Sequence, residues 1–209
     1  FAGALENNED TGTLQYLAST AMEAGFSTRV LDMQALDLQN GRFFDPAGEL
    51  VNRCFKLYPW EWMVDESPDG CLAEMEWLEP IWKLVMSNKA ILATLYELFP
   101  DSPYVLPCYL SRPRSGLFCK KPVFSREGHN VSVVDIRDWE EYVRIAETEG
   151  DYNTGAYVYQ EYVEPTVYSG RYPVIGSWII GGEAAGIGIR ENRMEVTDNL
   201  SEFVPHIIG

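Results

Sequence analysis

Apolar positions along the first quarter of the chain fall at helical spacing. Leu14, Leu17, Ala18, Ala21 and Met22 make one stripe within residues 11–25. Asp10 or Thr11 is placed to cap this helix, and Gly25 to end it. Residues 27–33 then read as a strand, a helix–strand step typical of an α/β layer. Turn signals at Asn40-Gly41-Arg42-Phe43 and Asp45-Pro46-Ala47-Gly48 frame a small hairpin. Residues 52–63 are rich in aromatics, and Pro59 divides them into a strand and a short helix.

A second helix is expected over residues 90–99, with Ser87 or Asn88 as its cap. Pro100, Pro103 and Pro107 punctuate the loop that follows. Beyond it the pattern turns to strands. Residues 118–124 and 130–135 would pair across a basic loop, and residues 138–149 read as an acidic helix. Residues 157–162, 172–180 and 184–190 read as antiparallel strands, the last two joined at Gly181-Gly182. The fold class is therefore α/β in the first half and α+β, rich in antiparallel sheet, in the second. The division is placed at residues 1–105 and 106–209.

The 209 residues carry 32 acids against 16 Lys and Arg, a formal charge of -16. Such a field repels nucleic acid and anionic membrane as bulk partners. No apolar run approaches the ~18 residues of a span, and a cytoplasmic location is expected. The four cysteines form no C-x-x-C pair and the two histidines are far apart, which speaks against a zinc site. Reduced thiols are the simple reading. The chain opens without Met, so a piece of a longer protein is expected.

Against this acidic background five cations crowd one stretch: Arg112, Arg114, Lys120, Lys121 and Arg126. In the run Lys121-Pro122-Val123-Phe124-Ser125-Arg126-Glu127-Gly128 they flank a hydroxyl and a glycine. A loop of this kind offers N–H groups and charge to a polyanion such as phosphate; a solvated turn is the plainer alternative. With repelling cations and no apolar anchor, residues 125–129 are expected to become ordered only when a ligand binds. Lys89 stands at the start of an apolar helix, where the dipole does not favour a cation. An exposed lysine and an anion contact are both open there. Gln160, Glu161, Tyr162 and Val163 close a strand whose backbone could edge a flat heterocycle, or simply end the strand. Gly186-Ile187-Gly188-Ile189-Arg190 lacks the third glycine of a dinucleotide loop and reads as a strand delivering Arg190 to one sheet face. Arg190 is either a working cation or the partner of Glu191.

Several stretches, in order, resemble the glutathionylspermidine synthase family with its ATP-grasp fold. They are Phe55-Lys56-Leu57-Tyr58-Pro59-Trp60-Glu61-Trp62, Leu78-Glu79-Pro80-Ile81-Trp82-Lys83, Ser87-Asn88-Lys89-Ala90-Ile91-Leu92, the Lys121 run, and Ile175-Gly176-Ser177-Trp178 through Arg190. The resemblance implies an ATP-dependent ligase that joins a peptide-like acid to an amine or polyamine through an acyl phosphate. It implies that Lys89, Lys121, Ser125, Gly128, Gln160, Glu161, Tyr162 and Val163 bind ATP, and that Arg126 and Arg190 serve phosphoryl transfer. It places Glu9, Asp10 and Trp62 near the substrates. The Mg²⁺ ligands are expected upstream of this chain, with none inside it. Related enzymes carry Thr where Trp62 stands, which argues against glutathione itself as the acid. The alternative is a nucleotide-binding module without catalysis, acting as a regulator or scaffold.

Overall fold

A computed structural model describes residues 1–138, 141–152, 155–196 and 201–207. Two compact units divide the chain, 1–86 and 87–209.

The first unit is built on a parallel sheet of four short strands in the order β2-β1-β6-β7: β1 (Ala2–Gly3), β2 (Leu31–Asp32), β6 (Arg53–Leu57) and β7 (Glu76–Leu78). Helix α1 (Asn8–Glu23) crosses from β1 to β2. It starts earlier than the sequence pattern suggests. The side chain of Asn7, rather than Asp10 or Thr11, caps it by accepting from Glu9 N at 2.9 Å. This leaves Glu9 and Asp10 in the first turn, where carboxylates complement the helix dipole. Leu14 of α1 is fully buried against β1, close enough that a Cβ on Gly3 would lie 2.8 Å from it.

On the other face lies the core cluster Ala2, Phe43, Cys54, Trp60, Met63 and Trp77. Trp77 meets Phe43 and Trp60 edge-on at 5.5 and 5.8 Å. Phe43 comes from a three-stranded meander, β3 (Asp37–Gln39), β4 (Arg42–Phe44) and β5 (Leu50–Val51). Asn40 and Gly41 both take positive φ, as a tight two-residue hairpin turn requires. Trp60 and Met63 come from α2 (Trp60–Glu66), which follows β6 after Pro59 as the sequence predicts. Only residues 31–32 of the strand expected over 27–33 pair in the sheet. Short helices α3 (Pro68–Cys71) and α4 (Leu84–Ser87) complete the connections.

The second unit holds a five-stranded antiparallel sheet in the order β11-β10-β9-β12-β8. Its strands are β8 (Cys108–Tyr109), β9 (Gly116–Pro122), β10 (Ser132–Ile136), β11 (Tyr142–Glu147) and β12 (Tyr157–Glu161). Helix α5 (Ala90–Leu98) packs on one face through Ala93, against Cys108 and Val158. Its first turn is tied by Asn88 Oδ1, which accepts from Ala90 N at 2.8 Å. A second sheet joins the long hairpin β13 (Tyr172–Ile180) and β14 (Glu183–Asn192) to β15 (Glu202–Val204). Gly181 and Gly182 make the turn with positive φ.

One expected element is of the wrong type. Within residues 138–149, Tyr142–Glu147 is the edge strand β11, not an acidic helix. Tyr142, Val143 and Ile145 suit a strand. The open side of β10 also offers backbone partners that an acidic, weakly amphipathic helix would lack. Tertiary pairing therefore overrides the run of acids. No described helix is long and apolar enough to cross a membrane.

Candidate functional site

The basic stretch forms two groups. In β9, consecutive side chains point to opposite faces. Lys121 pairs with Val158, whose side chain packs against α5, so Lys121 lies on the α5 face. Lys120 pairs with Tyr159 and Ser132 and lies on the other. Arg112 goes with Lys120, beside Tyr142 and Tyr159. The five-cation cluster seen in the sequence is thus not one site.

On the α5 face, Lys121 Nζ donates to Gln160 Oε1 at 2.6 Å. Gln160 is the diagonal neighbour of Lys121 on the same face of β12. Cys119 and Cys108 flank Gln160 in the same row. Both thiols are pushed up chiefly by burial, an effect that the nearby Lys121 opposes. Lys89 reaches the same region from the head of α5. Its backbone N–H donates to Val123 O at 2.8 Å, and its Nζ donates to both Ser125 O and Ser125 Oγ, the latter at 2.9 Å. Lys89, Lys121, Ser125 and Gln160 thus gather around one side of β9 and β12.

The loop after β9 is held at several points. His129 N donates to Arg126 O, and Asn130 N to Glu149 O. Thr148 Oγ1 donates to Gly128 O, and Tyr152 N donates to Asn130 Oδ1 at 2.8 Å. The His129 ring stands 5.9 Å from that of Tyr152, and a Cβ on Gly150 would come within 2.5 Å of His129. Glu127 and Gly128 both take positive φ, the left-handed backbone of a tight turn. Polar anchors from residues 148–152 supply the support that the sequence reading did not find. No local signal exposes them, because they come from the far side of β10 and β11.

At the end of β12, Glu161 N and Tyr162 N already donate to Pro107 O and Leu117 O. Those two N–H groups are therefore committed to the sheet. Val163, beyond them, is exposed. Tyr162 O–H donates to Glu195 Oε2 at 3.0 Å, and its phenol is pushed up to about 12, first by burial and then by this bond. Glu195 also acts on Cys119. It therefore brings the segment after β14 alongside the α5 face, a contact without any sequence signal. Arg190 sits on β14 opposite Val174 and Phe203, with its guanidinium 5.9 Å from the Phe203 ring.

The remaining predicted residues lie in the first unit, at the carboxyl edge of the parallel sheet. In open α/β sheets this edge is where ligands bind. Glu9 and Asp10 open α1 just past β1, and Trp62 lies in α2 just past β6. Trp62 is 41% exposed and stands edge-on to Tyr58 at 5.6 Å. Tyr58 O–H donates to Glu66 at 2.6 Å, and burial together with that carboxylate pushes the phenol up to about 12. The corner is held from below by Lys56, a buried lysine whose Nζ donates to Tyr58 O at 2.7 Å and lies 3.9 Å from the Trp60 ring centroid. Among the described residues no three His, Cys, Asp or Glu converge as a metal site.

The family model described as glutathionylspermidine synthase preATP-grasp matches residues 1–209. A Haemophilus influenzae protein named as an acid–amine ligase is 36% identical over 95% of this chain and 53% of its own length. Trypanothione synthetase of Crithidia fasciculata is 35% identical over 61% of this chain and 19% of its own length. The bifunctional glutathionylspermidine synthetase/amidase of Escherichia coli is 26% identical over 96% of this chain and 36% of its own length. The chain thus spans about half, or less, of the relatives it matches. The fold and these matches together show that the chain belongs to the glutathionylspermidine synthase preATP-grasp family.

Proposed function

We propose that the chain is part of an ATP-dependent acid–amine ligase. In this reaction a carboxylate oxygen attacks the γ-phosphorus of ATP and ADP leaves. The amine nitrogen then attacks the acyl phosphate carbon, and phosphate departs as the C–N bond forms. The observation that carries the reading is the gathering of Lys89, Lys121, Ser125 and Gln160 on one side of β9 and β12. Two ammonium groups and a glycine-containing loop suit a triphosphate, and a positioned cation set is most of what phosphoryl transfer asks of a protein.

In this reading Lys89 and Lys121 contact phosphates, and Ser125, Arg126 and Gly128 close over them. Gln160, Glu161, Tyr162 and Val163 edge the adenine. With the N–H groups of Glu161 and Tyr162 engaged in the sheet, Val163 and the carbonyls carry that recognition. Arg190 stabilises the transferring phosphoryl group. Magnesium would neutralise phosphate oxygens in such chemistry. The described residues form no cluster to hold it, so no step is assigned to it here. Glu9, Asp10 and Trp62 belong to the acid and amine side. Glu66 of α2, the acceptor of the Tyr58 O–H, sets a carboxylate beside the Tyr58–Trp62 pair. An edge that combines carboxylates with aromatic faces suits a cationic amine.

Calorimetry with ATP on this chain tests the nucleotide half. Micromolar-to-millimolar binding that Lys121→Met weakens at least tenfold is expected; wild-type affinity in that variant would refute the placement. Phosphate release by the whole protein across a panel of amines tests the reaction.

A further inference from the structure

On the sheet face turned away from α5, Arg112 and Lys120 border a small cavity of about 90 Å³ with Val134, Ile136, Tyr142 and Tyr159. That volume is about three waters' share of liquid. The floor is apolar, for Val134 and Ile136 are only 1% and 2% exposed. The Arg112 guanidinium stacks 5.1 Å from the Tyr142 ring and donates through one Nη to Asp138 O at 2.9 Å. Its Nε is buried with no acceptor among the described residues. Lys120 Nζ lies 4.0 Å from the Tyr157 ring. The described acids in and beside β10 and β11 have partners of their own: Asp135 and Glu141 with Arg137, Glu147 with Arg144 and Ser132, and Asp138 Oδ1 with Glu141 N.

In a chain with twice as many acids as cations, two cations around one cavity would ordinarily find carboxylates of their own. Among the described residues neither Arg112 nor Lys120 has a carboxylate in ion-pair range. Ring faces relieve such charges only in part. An oxyanion between them would offset their repulsion and, with a small turn of the guanidinium, give Arg112 Nε an acceptor. A carboxylate fits the planar fork of arginine, and its carbon fits the apolar floor. A phosphate dianion would match the two charges, but it would set a polar oxygen against the apolar floor where a carboxylate sets carbon. The Tyr159 phenol is pushed up by burial and keeps its proton at neutral pH as a further donor.

We propose that this cavity binds a small carboxylate of acetate size, on the face opposite the nucleotide side of the sheet. When filled it would staple the connection between β8 and β9, which carries Arg112, to β11, which carries Tyr142. The site does not depend on the nucleotide reading.

The test is thermal unfolding of the chain in sodium acetate against sodium chloride at equal ionic strength and pH 7, paired with line broadening of ¹³C-labelled acetate. A saturable rise specific to acetate is expected. Arg112→Met and Lys120→Met should each weaken apparent acetate affinity at least tenfold, while Lys121→Met on the other face should leave it unchanged. Lys120→Met retains the aliphatic stem, so it decides the matter alone if Arg112→Met does not fold. The proposal is overturned by a rise that chloride reproduces, by equal or tighter binding of inorganic phosphate, or by acetate binding that Lys121→Met abolishes and Lys120→Met spares.

Discussion

Lys89 holds the head of α5 to the loop after β9, and Lys89→Met removes that tie while keeping the side-chain stem. Two hydrogen bonds disappear, to Ser125 O and Ser125 Oγ. Hydrogen bonds that involve a charged group contribute ~1.5–3 kcal/mol each. This one is only partly buried and its acceptors can turn to water, so a total loss of ~2 kcal/mol is expected. With a urea slope of ~2 kcal/mol/M, the midpoint for the second unit should fall by about 1 M. The measurement is urea unfolding with hydrogen exchange on the segment 123–131, which separates the second unit from the first. The amide of His129, bonded within the loop to Arg126 O, should exchange faster, while that of Val131 keeps Thr148 Oγ1 as its acceptor and should change little. Ser125→Ala removes only the hydroxyl acceptor and should cost about half as much. A double-mutant cycle should then show coupling of ~0.5–1 kcal/mol. Unchanged midpoint and exchange in Lys89→Met would refute the latch. The same bonds must yield if Lys89 turns to a phosphate; in the proposed site Ser125 then meets the phosphates through its backbone N–H, so Ser125→Ala should bind ATP at least as tightly as the wild type. A tenfold weaker affinity there would show that the hydroxyl itself holds the nucleotide.

Gly3→Ala should destabilise the first unit by ~1–3 kcal/mol, because its Cβ would meet Leu14 at 2.8 Å and the Leu57 carbonyl at 2.9 Å; a thermal scan within 1 °C of wild type would contradict this. The Tyr58 phenol is raised from 10 to about 12 in the folded chain. Its contribution is therefore fully present below pH 10 and lost as pH rises through 12. Tyr58→Phe should lessen the alkaline loss of stability over that window, and an identical pH profile for both proteins would count against it. On the proposed reaction, Arg190→Ala in the whole protein should lower turnover by about 10²–10³ with little change in ATP affinity; full turnover would leave Arg190 to its contact with Phe203.

The presence of α1 and α5, though not the Asn7 start of α1, and the strands around the Lys121 loop follow from the sequence because their signals are local. Spaced leucines, the Asn88 cap and paired glycines act within a few residues of one another. The family was legible for a related reason: several short motifs recur in a set order, independent of any distance in space. The residues 142–147 became a strand because β10 had an unpaired edge, and no run of acids reports that. Strand alternation separated Lys120 from Lys121, adjacent in the chain, onto opposite faces. Register alone brought Gln160 to Lys121 across 39 positions. The anchors from Thr148 and Tyr152, and the contact of Tyr162 with Glu195, likewise join segments with no mark of each other in the sequence. A side chain's type limits what it can bind, and this much the sequence determined. Which neighbours share its face depends on pairing between distant strands, and only the tertiary structure decided that.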